Sequence, residues 1–483
     1  MMKIFALLCI LSSSGIIYSQ QNFLNWVTYL NIVAEPAKSA SVDSFITANR
    51  NGNIPYIEGD KAVFLYRGSA NTVAAAGDFN GWSPSYTLQK ISTTNLYYYI
   101  KSFEPNARLD YKFVLNGSNW ILDPLNSKTV SGGFGPNSEL AMPMYIQPAE
   151  IAYNPSIPHG TILTTSLAAT NGVGTFQTKI YLPPGYAENT SERYPVVYFH
   201  DGYEYIDLAS AVIVMDNLIA QNKIRPVIAV FVKPNNRNDE YAGNKRSLYA
   251  QFFATQVTAY ADNNFRTITR ADSRLTLGDS FGGNISGYLS YHYPEVFGLC
   301  GLHSGAFWPN SYEVYNLFIN APRKEVSFAA VWGTYEGLWE NMRSFRDQMT
   351  AKGYSLIWSE LPEGHSWGLW RANIDFMLEH FFPPLPSSVA GAEYIPGEFS
   401  LQAYPNPFNP QTTIRFSLGK SGNVSLVVYD ALGRIVTRLA DAYYEAGSHQ
   451  LNFNAVNLSA GIYYVSLKTA TGIMQSMKVV LVK

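Results

Sequence analysis

Gly278-Asp279-Ser280-Phe281-Gly282 has the pattern G-x-S-x-G. A serine hydroxyl is a weak nucleophile at neutral pH. It needs a base, a third group to orient that base, and N–H donors for the oxyanion that develops. The pattern alone says little in a chain rich in Gly and Ser. Its setting is more specific. "SRLTL" precedes it and "FGGNISGYLSYHY" comes after, so a strand, a tight turn and a helix are expected. Such a turn lifts the hydroxyl above the sheet edge, and the helix N-terminus favours negative charge. The alternative is an ordinary Gly-rich turn.

The base must come from seven histidines, at 159, 200, 292, 303, 365, 380 and 449. Where a nucleophile elbow is used, the chain order is Ser, acid, His, with the His on a loop after the last strand. "YSLIWSELPEGHSWGLWR" reads as strand, turn, His365, helix, so His365 fits. His292 and His380 fall in helical patterns and His303 comes after another strand, which suits structural roles. "VSFAAVWGTYEGLWEN" offers Glu336 as the acid, with Glu340 and Asp347 further into a helix. A carboxylate there would hold the imidazole in one tautomer and stabilise its charged form. The oxyanion would take one N–H from Phe281 and one from the loop "YFHDGYEY", where Gly202 allows close approach and Tyr203 is the donor. His200 then shapes that loop. A metal role for His200 and Asp201 lacks partner ligands at useful spacing.

The elements that position these residues lie in 150–383. "RYPVVYFHDG", "RPVIAVFV", "SRLTLGDS", "VSFAAVWGT" and "YSLIWSELPEG" are apolar runs of the kind found in buried parallel strands. Helical stripes alternate with them: Leu338, Met342, Phe345 and Met349, then Ile374, Met377, Leu378 and Phe381. That alternation implies a parallel sheet covered on both faces. Upstream, 20–54 reads as helical, with Phe23, Trp26, Val27 and Leu30 on one face and Val42, Phe45 and Ile46 after the break at Pro36. So short a piece cannot fold alone and must dock on the next segment of the chain. Residues 55–149 turn to β-rich runs, as expected of a small antiparallel sandwich. Residues 384–398 read as a linker, and 399–483 as a second β-sandwich.

The 483 residues carry a net charge of −2 with no basic stripe, so nothing points to nucleic acid or anionic lipid as a partner. "MMKIFALLCILSSSGIIYSQ" reads as a signal peptide over 1–19, too short to span a membrane. Cys9 leaves with it, and Cys300 alone cannot form an internal disulfide. No transmembrane segment is expected in the mature chain.

Three resemblances rest on these residues. "GDFNGW" (Gly77 to Trp82) and "YKFVLNGSNWILDP" (Tyr111 to Pro124) resemble early-set immunoglobulin-like modules related to glycogen-binding domains. The resemblance implies that Trp82 and Trp120 stack on sugar, unless they only cover an edge. "YPNPFNP", "YDALGR", "LSAGIYYV" and the terminal Lys resemble the C-terminal sorting domain of type IX secretion. That implies the type IX machinery as a partner, and release or surface attachment. H-D-G after a strand, R-x-x-E-Y, G-D-S-x-G-G, G-x-x-E and G-H-x-W, over about 55–383, resemble the enterochelin-esterase and feruloyl-esterase group of α/β-hydrolases. The fold implied is a multidomain one, an α/β-hydrolase flanked by β-sandwiches. The family's serine carries over to Ser280, its acid to Glu336 and its histidine to His365. His200, Asp201, Gly202, Asp279, Arg237, Glu240, Tyr203 and Trp367 are then expected around the substrate. Arg237 and Glu240, in the R-x-x-E-Y segment, either line the pocket or brace its loop by an ion pair. No cofactor and no metal are expected. The substrate implied is a feruloyl or similar ester of plant polysaccharide. A siderophore trilactone and a non-catalytic carbohydrate-binding role are the alternatives.

Overall fold

The computed structural model describes residues 23–384 and 400–482, except 419–420, 431–432, 446 and 470–473. The signal peptide expected at 1–19 lies outside the described residues, as does the linker expected at 384–398 apart from Pro384. The chain divides into two compact units at Pro384.

The first unit is centred on an eight-stranded sheet: β1 (Thr161–Ala168), β2 (Thr175–Leu182), β3 (Val196–Phe199), β4 (Ile228–Val232), β5 (Arg274–Asp279), β6 (Leu299–His303), β7 (Ser327–Gly333) and β8 (Ser355–Leu361). The order is β1-β2-β4-β3-β5-β6-β7-β8. β1 and β2 pair antiparallel, β2 joins β4 antiparallel, and the rest run parallel. β3, β4 and β5 are buried along their whole length, as their apolar runs imply. β1 and β2 were not legible in the sequence. β1 is a Thr-rich, largely exposed edge strand and β2 alternates, so neither carries such a run. Helices cover both faces. Phe253, Ile285, Leu289 and Phe345 belong to one core layer, and Val214, Leu218, Met377 and Leu378 to the other.

Ahead of this sheet, two antiparallel sheets share one core. The first contains Tyr56–Glu58, Lys61–Arg67, Gln89–Lys90 and Leu96–Ser102; the second contains Val73–Gly77, Arg108–Leu115 and Asn137–Ala141 with shorter strands. Phe64, Tyr97, Leu109, Tyr111 and Phe113 meet between them. Within Lys61–Arg67, residues 62–66 are apolar and buried because the strand is covered on both faces. Phe64 faces this core, whereas Val63 and Leu65 face the helices Phe23–Ile32 and Ala37–Asn49 through Trp26, Leu30 and Val42.

The second unit has a sheet of Ser400–Tyr404, Gln411–Leu418 and Gly447–Asn454, and one of Gly422–Asp430, Ile435–Tyr444, Gly461–Thr469 and Met474–Leu481. Ile414, Phe416, Leu426, Val465 and Val479 form its core. Among the described residues, no helix is long and apolar enough to cross a membrane.

Trp26 is buried, stacks on Phe45 at 4.3 Å, and donates from Nε1 to Ser41 Oγ at 3.0 Å. We expect Trp26→Ala to cost the first unit about 3–5 kcal/mol in urea unfolding. A loss below about 0.5 kcal/mol would show that the helical pair lies outside its cooperative core.

Candidate active site

Ser280 occupies the turn between β5 and the helix Phe281–His292, with φ 52° and ψ −114°. Side chains other than glycine rarely take this conformation, and it persists only where the surroundings impose it. Here the Ser280 N–H donates to the His303 carbonyl (2.8 Å), and its carbonyl accepts from Ala306 (3.0 Å) and Asn284 (3.1 Å). A Cβ on Gly278 would collide with the backbone of Gly282, and one on Gly283 would lie 2.9 Å from Gly305 Cα. The strand and helix thus approach too closely for side chains at these positions.

Glu336 comes three residues after β7 and His365 four residues after β8. His365 Nδ1 lies 2.5 Å from Glu336 Oε2, while Glu336 Oε1 accepts the Gly333 N–H at 3.3 Å. Glu336 is buried and the imidazole is one-third exposed. Glu340 and Asp347 lie exposed on the helix Trp339–Ala351, and Asp347 is paired with Arg346. The imidazole meets the Trp370 ring edge-on at 5.0 Å, and Trp370 donates to Ser304 Oγ at 3.1 Å. Ser280 and His365 border one cavity of about 720 Å³. No direct hydrogen bond joins them. Such contacts are commonly long without substrate and tighten when it binds.

Arg237 does both things the R-x-x-E-Y segment left open. It lines the cavity, and its Nε donates to both Asp201 oxygens at 2.8 Å. Its Nη2 reaches the Asp279 carbonyl (3.1 Å) and carboxylate (3.3 Å). Burial raises the Asp201 and Asp279 carboxyls above their ordinary range. Asp201 adds to the rise at Asp279, and Arg237 opposes both shifts. Asp201, Asp279 and Trp367 also line the cavity.

Four expectations need correction. His200 does not reach the cavity. It is fully buried, with Nε2 2.9 Å from Thr276 Oγ1 and Nδ1 3.2 Å from the Tyr249 hydroxyl, and burial lowers its pKa to about 3. Glu240 is buried too and accepts the Asn235 N–H at 3.0 Å, bracing its own loop. Gly202 packs inward, where a Cβ would lie 2.5 Å from the Phe231 backbone. The Tyr203 ring is not a cavity wall; it sits under Lys179 Nζ at 4.3 Å. The Phe281 ring packs on Trp308 at 5.2 Å, while its N–H opens the helix that starts at the serine. His303, like His200, is a core histidine lowered to about 3 by burial.

Sequence reasoning named Trp82 and Trp120 as possible sugar contacts but did not place the module's residues at the serine. Asp78, Trp82, Asp110, Lys112, Trp120, Phe134 and Asn137, all from the two-sheet module, line it together with Ser280 and His365. Phe134 is fully exposed in a Gly-flanked loop and Trp120 is 44% exposed. The available signals were an aromatic residue set among glycines in "SGGFGP", and charges inside the apolar strand "RLDYKFVL". Among the described residues, no group of three or more His, Cys, Asp or Glu is placed to hold a metal ion.

The sheet order and the strained serine turn define an α/β-hydrolase fold. Ferric enterobactin esterase from Salmonella typhimurium shares the fold with a TM-score of 0.59 at 17% identity, over 67% of this chain and 94% of that one. Enterobactin esterase from Shigella flexneri does so with 0.56 at 18%, over 66% and 92%. Residues 174–381 match the family described as "Putative esterase", and residues 402–483 match the secretion system C-terminal sorting domain. Residues 174–381 thus form a region similar to that esterase family, and residues 402–483 a sorting domain, which indicates secretion or a cell-surface location. The endo-1,4-beta-xylanase/feruloyl esterase of Xylanibacter ruminicola is 34% identical over 169 residues, 32% of this chain. The chain spans only 23% of that relative's length. The iron(III) enterobactin esterase of Escherichia coli is 24% identical over 367 residues, 67% of this chain and 87% of that protein.

Burial, reinforced by the neighbouring Asp110 carboxylate, holds the Asp78 carboxyl well above the usual range. The folded protein keeps a proton there that the unfolded chain releases above about pH 4, so stability falls as pH rises between those two pKa values. Asp78→Asn cannot ionise. We expect its melting temperature to gain on the wild type as pH is raised from about 5 to about 9. A gap that stays constant across thermal scans at each pH would contradict this.

Proposed function

We propose that this protein is an exported serine carboxylic-ester hydrolase that removes feruloyl or similar acyl groups from plant polysaccharide. One observation carries the reading: the buried Glu336 carboxylate holds the His365 imidazole at 2.5 Å, beside the cavity onto which the strained Ser280 opens. In the mechanism, His365 accepts the Ser280 proton as the hydroxyl attacks the ester carbonyl, and Glu336 stabilises the imidazolium. The Phe281 and Tyr203 N–H groups hold the oxyanion. The alcohol leaves with the proton from His365, and the acyl group stays on Ser280. Water, deprotonated by His365, then attacks the acyl-enzyme and releases the acid. The steps need no cofactor.

The cavity's walls support an aromatic acyl group on a neutral sugar. Trp82, Trp120, Phe134, Trp367 and Trp370 present flat apolar faces to it. Asp78, Asp110, Asp201, Glu204 and Asp279 face it against only Lys112 and Arg237. Burial raises the Asp78, Asp201, Glu204 and Asp279 carboxyls above their ordinary range, so the lining carries less negative charge than its carboxyls suggest, which suits a neutral ligand. The Xylanibacter relative named as a feruloyl esterase and the sorting domain support the same reading. In export, a signal peptide over 1–19 would be removed before passage through the type IX machinery. The longer match to iron(III) enterobactin esterase, over 67% of this chain, favours the second reading, a siderophore trilactone esterase. The complete Ser, His and Glu set weighs against a non-catalytic carbohydrate-binding protein.

Hydrolysis of p-nitrophenyl acetate and methyl ferulate tests the enzyme reading. Ser280→Ala should lose about a thousandfold or more in kcat; equal rates for variant and wild type would end it. Feruloylated arabinoxylan against an iron-free trilactone tests the substrate. We expect the higher kcat/KM on the ferulate ester, and Trp120→Ala and Phe134→Ala should raise its KM severalfold with kcat little changed. A clear preference for the trilactone would transfer the assignment to the second reading.

A further inference from the structure

Arg108 belongs to the two-sheet module, yet it is fully buried against the loop that carries His365. Its Nη1 donates to Ser366 Oγ at 3.1 Å, and its backbone N–H donates to the Pro362 carbonyl at 3.1 Å. The two anchor points bracket His365. The Glu363 carboxylate lies 3.9 Å from the same guanidinium, which Asp110 (2.8 Å) and Glu139 (2.8 Å) hold from the module side. Gly364 in the loop and Gly368 in the helix Trp367–Arg371 record how close the approach is. A Cβ on Gly368 would overlap the Arg108 guanidinium, and one on Gly364 would overlap the Asp78 carboxylate. From the other side, the Tyr335 N–H donates to the Glu363 carbonyl at 3.0 Å, tying this loop to the loop of Glu336.

We propose that Arg108 is a positioning residue for His365: the module pins the loop Pro362–Ser366 through this guanidinium, so the base is aligned only while the module is docked. The proposal rests on the Ser280, His365 and Glu336 reading above. A rigid fork bonded at several points holds a loop in one place, whereas a lysine supplies only a point charge. Misplacing a catalytic group by about 1 Å can cost about a hundredfold in rate.

The test uses the full chain with p-nitrophenyl acetate, a substrate too small to need the module's aromatic wall. Arg108→Gln should lower kcat at least about tenfold with KM within about twofold, and Arg108→Lys should recover part of the loss. Ser366→Ala and Glu363→Gln, which remove single contacts, should each lower kcat severalfold. Thermal unfolding of each variant identifies those that fold. A folded Arg108→Gln with unchanged kcat, or with only KM raised, would overturn the proposal. If Arg108→Gln does not fold, wild-type kcat in both single-contact variants would overturn it. Activity surviving in Ser280→Ala would instead sink the enzyme reading, so the two failures are distinguishable.

Discussion

The close approach of β5 to the helix Phe281–His292 is the constraint on which the site depends. A backbone held in a sparsely populated region costs about 1–3 kcal/mol and must be over-determined by its surroundings. At Ser280 the neighbouring segment supplies that restraint, through the His303 carbonyl and the Ala306 N–H. β5 is paired on both sides, by β3 and β6, so it cannot relax sideways. Gly278 and Gly283 are needed because backbone occupies the space a side chain would take.

Buried charge is arranged around this turn in two cradles, each with an arginine at its centre. Arg237 joins Asp201 to Asp279, the residue before the serine. Arg108 joins Asp110 and Glu139 to Ser366, the residue after the histidine. Buried ion pairs contribute little net stability, since desolvation offsets attraction, but removing one partner is costly. Their effect is to specify geometry: each guanidinium is held at once by groups from separate segments of the chain. Burial raises Glu363, beside Arg108, to about 7. It also pushes the cavity carboxyls of Asp78, Asp201 and Asp279 upward, so the cavity holds fewer negative charges than its carboxyl count suggests.

The two-sheet module contributes to the hydrolase cavity and is no mere appendage. Trp120 and Phe134 keep exposed aromatic surface at the cavity. Exposed aromatic surface normally marks a contact surface, because water otherwise gains from covering it. The Tyr335 hydroxyl donating to Glu104 at 2.6 Å adds another tie between the module and the loop of Glu336.

Much of this was legible along the chain. A strand, tight turn and helix form a local motif, since they are contiguous with their glycines, so the turn at Ser280 could be read directly. The loops of Glu336 and His365 could be read because each comes after a strand-like segment, a buried apolar run at β7 and a half-exposed one at β8. The edge pair β1 and β2 escaped, because an exposed strand has no such run. The roles of His200 and Glu240 escaped for another reason: sequence proximity to a site does not say which way a side chain points. Tertiary structure alone decided that His200 turns into the core and that Arg237 spans two aspartates. It alone decided that Arg108 and Phe134 reach a histidine loop more than two hundred residues away in the chain. Local pattern determines the strand, turn and helix, because their bonds lie between near neighbours. Which distant surfaces meet depends on how the finished layers pack, and no short stretch of residues encodes that.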